Sequence, residues 1–162
     1  MNVPLRKMLL RAPLSLSGHP HERKMMNRND IIRILVVDGG NDDSMVGELY
    51  QTVDSVKDII IVGEVNSGEE ALAAARHLSP DVIVMLADSD ISGMDSIQTT
   101  REITSEGLSA CVVIITKNIA RNLAPAVKAR AAGLCSPVAG AEELLSIIYR
   151  IHQWSPYSLS LQ

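Results

Sequence analysis

From Ile31 onward the chain alternates short aliphatic runs with longer segments whose apolar residues recur at helical spacing. The runs are Ile31 to Val37, Ile59 to Gly63, Val82 to Ala87, Cys111 to Thr116, and Leu134-Cys135. They contain almost no polar residue, so each strand must be covered on both faces, as in a parallel sheet. The intervening segments are long enough to be the crossover helices that parallel strands require. The alternation predicts a (βα)₅ doubly wound parallel sheet in three α/β/α layers, with right-handed crossovers. The pattern leaves the strand order open.

Local signals set the expected helix limits. Met45, Val46, Leu49, Tyr50 and Val53 mark a first helix. Ser67-Gly68-Glu69-Glu70 reads as a capping box opening a second, which turns Ala71, Leu72, Ala75 and Leu78 inward and stops at Pro80. A third is expected from about Asp95 to Glu106, closed by Gly107. A fourth is expected from Leu123 to Ala132, with Pro125 in its first turn and Gly133 closing it. The last runs from Glu142 to about Gln153, with Leu144, Leu145, Ile147, Ile148 and Ile151 apolar.

A length of 162 residues suits one domain, and 46% apolar residues exclude disorder throughout. Aromatic residues are only 2%, with no Phe, which disfavours base-stacking surfaces for single-stranded nucleic acid. Residues 1–30 carry six basic and two acidic side chains, while the other 132 residues carry nine and seventeen. An acidic body is a poor partner for a phosphate backbone, so nucleic acid is disfavoured. The basic arm has three readings: a disordered or partly helical extension, an upstream start ahead of Met25 or Met26, or a targeting peptide. The expected organisation is therefore an arm at 1–30, a domain at 31–153 and a tail at 154–162. Cys111 and Cys135 read as buried free thiols of a cytoplasmic protein. No apolar run approaches the ~18 residues of a membrane span.

Function should sit at the carboxyl edge of the sheet, where open α/β sheets place their ligands. Asp38 follows the first strand, with Asp42 and Asp43 nearby; Asp88 and Asp90 follow the third; Thr116 ends the fourth. Clustered carboxylates suit Mg²⁺, and an aspartate beside such an ion can accept a phosphoryl group. The same aspartates could equally cap helices and solvate the edge. His77 reads as a solvent-facing cation at a helix end. His19 and His21 form an incidental pair in the arm.

Specific motifs go further. Ile-Arg-Ile-Leu-Val-Val-Asp ending at Asp38, Val-Gly-Glu-Val-Asn-Ser-Gly-Glu-Glu-Ala-Leu after strand two, and Asp-Ile-Ser-Gly-Met-Asp-Ser after Asp88 resemble the receiver domain of bacterial two-component response regulators. The Val-Ile-Ile-Thr strand, Ala-Ala-Gly and Glu-Glu-Leu-Leu extend the likeness over about residues 31–153, particularly to regulators carrying helix-turn-helix output domains. The resemblance implies a flavodoxin-like sheet of order 2-1-3-4-5 and a role in phosphorelay signalling, with no enzymatic residue of its own. It implies a phosphoacceptor at Asp88, an acidic Mg²⁺ pocket drawn from Asp38, Asp88 and Asp90, and a switch hydroxyl at Thr116. It also implies contact with a histidine kinase or an output protein through the helix 4, strand 5, helix 5 face, a face that can also form a homodimer.

The motifs depart from the family at four positions. Gly39 stands where a second acid is expected, and Leu134 where an aromatic switch residue is expected. Ser136 and Pro137 occupy the place of a lysine. Asp88 matches the phosphoacceptor when counted back from Ser92-Gly93-Met94-Asp95, but counting forward from Pro80-Asp81 reaches Leu86. Two extra residues that merely lengthened the strand would carry the carboxylate about 6–7 Å outward. With one acid and the lysine gone, Mg²⁺ and phosphoryl binding weaken.

Three functions follow. The first is an atypical receiver acting through protein contacts. The second is a phosphorylatable receiver using Asp88 with Mg²⁺. The third is the receiver part of a transcriptional regulator without its DNA-binding output domain, since the nine residues after Gln153 fall short of the roughly fifty such a domain needs. A flavodoxin-like enzyme or small-molecule domain is disfavoured, because Gly39-Gly40-Asn41 lacks a phosphate cradle and sits among aspartates.

Overall fold

The computed structural model describes residues 31–39, 44–87 and 95–154. The arm at 1–30, the tail from 155, and Asp42, Asp43, Asp88 and Asp90 lie outside the described residues. In chain order the elements are β1 (Ile32–Val37), α1 (Ser44–Asp54), β2 (Ile59–Val65), α2 (Gly68–Leu78), β3 (Val82–Leu86), α3 (Ser96–Ser105), β4 (Cys111–Ile115), α4 (Ile119–Lys128), β5 (Gly133–Cys135), a 3₁₀ turn (Pro137–Ala139) and α5 (Gly140–Trp154). All strand pairs are parallel, and the sheet order is β2-β1-β3-β4-β5, as the resemblance implied. The reversal beside β1 opens a crevice at the carboxyl edge.

Strand alternation divides the core between the two faces of the sheet. Ile34, Val36, Val84, Leu86, Val113 and Ile115 pack against Met45 and Leu49 of α1 and Leu144 and Ile148 of α5. Leu35, Val37, Ile83, Met85, Val112 and Ile114 pack against Ala71 and Ala75 of α2, Ile103 of α3 and Ala126 of α4. The absence of Phe is met by many small, close contacts among branched side chains.

Most termini follow the sequence signals. Ser67 accepts the Glu70 N–H at 3.1 Å, and the Glu70 carboxylate accepts the N–H of Asn66 at 3.0 Å, one residue before the cap. Asp95 caps α3 by accepting from Gln98 N–H at 2.7 Å, and Gly107 closes it at φ +70°. α2 ends at Ser79, held left-handed at φ 47° just before Pro80.

α4 departs from expectation. It begins at Ile119 rather than Leu123, capped by Asn118, so Pro125 lies inside the helix instead of its first turn. Gly133 does not close it. The chain turns at Arg130, left-handed at φ 65°, with the Ala131 N–H on the Ala126 carbonyl at 2.9 Å and the Arg130 N–H on Val127 at 3.0 Å. Gly133 belongs to β5, where an added Cβ would stand 3.2 Å from Ile147 Cγ2 of α5.

Candidate functional site

Of the five chain segments that leave the sheet at its carboxyl edge, those after β1, β3, β4 and β5 carry the expected site residues. After β1, Asp38 donates its N–H to the Val65 carbonyl at 2.9 Å, and its side chain is buried. Gly39 follows, partly exposed and without a side-chain ligand. β3 ends at Leu86, whose side chain is buried in the α1/α5 half of the core. Val37 pairs with Met85, so continuing the register sets Leu86 level with Asp38. Ala87 is already in a turn, its N–H on the Ile115 carbonyl at 2.9 Å. β3 thus ends at Leu86, and Asp88 lies outside the described residues.

Thr116 follows β4 and is fully buried, its N–H donating to the Cys135 carbonyl at 2.9 Å. Its Oγ1 accepts from the Asn118 N–H at 3.1 Å and from Asn122 Nδ2 at 2.9 Å. Asn122 Nδ2 also donates to the Asn118 carbonyl at 2.9 Å, while Asn118 Oδ1 accepts the Arg121 N–H at 3.0 Å. The hydroxyl is thus tied to the first turns of α4. Sequence reasoning missed Asn118 and Asn122. An Asn two residues past the strand was a cap signal, but the reach of Asn122 back to Thr116 depends on the helix starting at Ile119.

After β5, Leu134 is half-buried against the α2/α3/α4 half of the core. Ser136 Oγ accepts the Val138 N–H at 3.4 Å and opens the 3₁₀ turn with Pro137 at its start. These residues shape the loop and bring no cation. Burial raises the thiol pKa of both Cys111 and Cys135, favouring the neutral form.

The structure brings Asp38, Thr116, Ser136 and Pro137 to one edge, with Leu134 just inside it. Among the described residues, no three His, Cys, Asp or Glu side chains gather to hold a metal. Asp38 is the one expected carboxylate within them; Asp88 and Asp90 lie outside the described residues.

Residues 34–148 match the response regulator receiver domain family. The chain belongs to that family. As a receiver domain it has the fold and place of a module of two-component signalling. It is 28% identical over 132 residues to the response regulator UvrY of Escherichia coli, covering 80% of this chain and 58% of UvrY. It is 36% identical over 90 residues to the transcriptional regulatory protein LiaR of Bacillus subtilis, covering 55% of this chain and 40% of LiaR. The chain thus spans between 40% and 58% of the length of these two relatives. Among solved structures, the response regulator domain of Thermotoga maritima CheB superposes with a TM-score of 0.67 at 25% identity, covering 78% of this receiver and 99% of that chain. A signal receiver domain of NarL from Mycobacterium tuberculosis gives 0.69 at 20% identity, covering 77% and 98%. No described helix is long and apolar enough to cross a membrane.

Proposed function

We propose that this receiver is atypical: it acts by protein–protein contact through α4, β5 and α5, and it does not depend on phosphorylation of Asp88. The observation that carries this reading is the Thr116 hydroxyl, fully buried and held by Asn118 N–H and Asn122 Nδ2. Both bonds are accepted by the oxygen, so the O–H keeps its own donor, but any inward movement of that oxygen toward a phosphoryl group has to break its ties to α4. The sequence supports the same reading: Gly39 removes an acid, and Ser136-Pro137 supplies no lysine to pair a phosphoryl charge. The domain is taken as residues 31–153 of a cytoplasmic protein, with a histidine kinase or an output or regulatory protein as partner. We assign it no catalytic residue and no step that runs through Mg²⁺.

A second reading rests on Asp38, a buried carboxylate kept at the ligand edge. With Asp88, and with Asp90 standing in for the missing acid, it would bind Mg²⁺ weakly and support phosphoryl transfer to Asp88. As part of a longer regulator, either form would hand its signal to a separate DNA-binding domain. Incubation with a small phosphodonor and Mg²⁺, followed by intact mass measurement, separates the two. The proposal expects no added phosphate on the native chain or on Asp88→Ala. A single phosphate on the native chain alone overturns it.

A further inference from the structure

The segment from Lys117 to Arg130 differs from the rest of the domain in both charge and apolar exposure. It carries Lys117, Arg121, Lys128 and Arg130 and no acidic residue, whereas the remainder of residues 31–162 holds five basic and seventeen acidic side chains. α4 buries only Ala126, with buried Ala129 just beyond its end. Its large side chains face outward: Ile119, Leu123 and Val127 are 36%, 52% and 66% exposed. Spaced by four, they form one stripe along the helix. A helix that packs alanines inward and aliphatics outward leaves a cost in water that a partner can relieve.

We propose that this stripe docks an amphipathic protein helix whose apolar residues recur every three or four positions between aspartates and glutamates. The proposal rests on the reading that the domain works through protein contacts, and it names the partner's chemistry. The apolar stripe calls for apolar side chains opposite it, and the basic rim calls for carboxylates beside them. A second copy of this chain fits poorly. α4 against α4 would bring like charges within the screening distance of about 8–10 Å. α5 offers Glu142 and Glu143, but among the described residues the exposed large apolar side chains are only the three of the stripe and Val138. An anionic membrane would meet a ten-residue helix whose stripe lacks an aromatic residue, on a domain of strongly acidic balance. Nucleic acid would satisfy the cations and leave the stripe in water. The tie from Asn122 to Thr116 holds the helix that presents this surface.

The test is fluorescence anisotropy of a labelled helical peptide with leucines at every fourth position and glutamates between them, titrated with the full chain. Saturable binding should weaken about tenfold or more with Leu123→Asp, which removes an apolar side chain that the docked peptide would cover. It should also weaken with Arg121→Glu and with added salt. Both positions are exposed, so unchanged circular dichroism and Tm verify that the variants fold. A peptide with lysine in place of every glutamate should not bind. The proposal is overturned if both variants bind like the native chain, or if the lysine peptide binds equally well. It is also overturned if the glutamate peptide fails while duplex DNA or phosphatidylcholine–phosphatidylglycerol vesicles retain the chain, or while sedimentation finds Leu123-dependent self-association. Binding that appears only after treatment with phosphodonor and Mg²⁺ supports the surface and overturns phosphorylation independence. Binding without that treatment supports both.

Discussion

Tyr149, towards the C-terminal end of α5, donates its hydroxyl to Asp58 Oδ1 at 2.7 Å and joins the last helix to the turn before β2. Burial first, then the hydrogen bond and the charge of Asp58, raise its pKa above the ordinary 10.0. The folded state therefore holds the proton more tightly than the unfolded state. The stabilisation is complete below about pH 10 and is lost as pH rises from there toward the folded-state value. Tyr149→Phe should cost about 1–2 kcal/mol at neutral pH in urea unfolding. The variant should also lose less stability than the native chain when the titration is repeated above pH 10. Gly133 is a different kind of residue-scale constraint. Its missing side chain lets Ile147 and Ile151 of α5 pack onto β5, at 3.2 and 3.4 Å from where a Cβ would be. Gly133→Val should destabilise by about 1–3 kcal/mol, measured as a fall in the urea midpoint at constant slope. The sequence suggested a helix-closing glycine there, because Gly after a helical stretch is a common stop. The packing role comes from a residue fourteen positions later and leaves no local signal.

At the scale of elements, the strands were legible because burial on both faces makes their runs continuously aliphatic. α2 and α3 were legible because Ser67 and Asp95 are side-chain caps with their own local geometry. α4 was misplaced for a physical reason. Its large apolar residues face water and only Ala126 faces the sheet, so the stripe that would normally mark a core face marks an outer one. Pro125 then looked like a first-turn residue although it stands within the helix. At the site, the strand-end positions of Asp38 and Thr116 followed from the pattern. The engagement of Thr116 did not, because it needs Asn122 one and a half turns along. Removing that amide by Asn122→Ala takes one of the donors from the Thr116 hydroxyl and should cost about 0.5–1.5 kcal/mol locally. In native-state hydrogen exchange, the amides of α4 should speed up by up to about tenfold while those of β1 and β3 stay unchanged.

At the scale of the whole molecule, the described residues form the receiver fold with sheet order β2-β1-β3-β4-β5, and we propose that the groups that would turn phosphorylation into motion are altered. In this proposal Gly39, Leu134, Ser136 and Pro137 stand in place of an acid, an aromatic and a lysine, while Thr116 is held by Asn122 of α4. α4 in turn carries the basic, apolar surface of an otherwise acidic domain. We propose that α4 stands in one arrangement regardless of phosphodonor. Hydrogen exchange over residues 116–130, with and without a small phosphodonor and Mg²⁺, tests it most directly. Superimposable exchange is expected in the native chain under both conditions, with acceleration only when Asn122 is replaced. A phosphodonor-dependent change in α4 exchange that disappears in Asp88→Ala would contradict it.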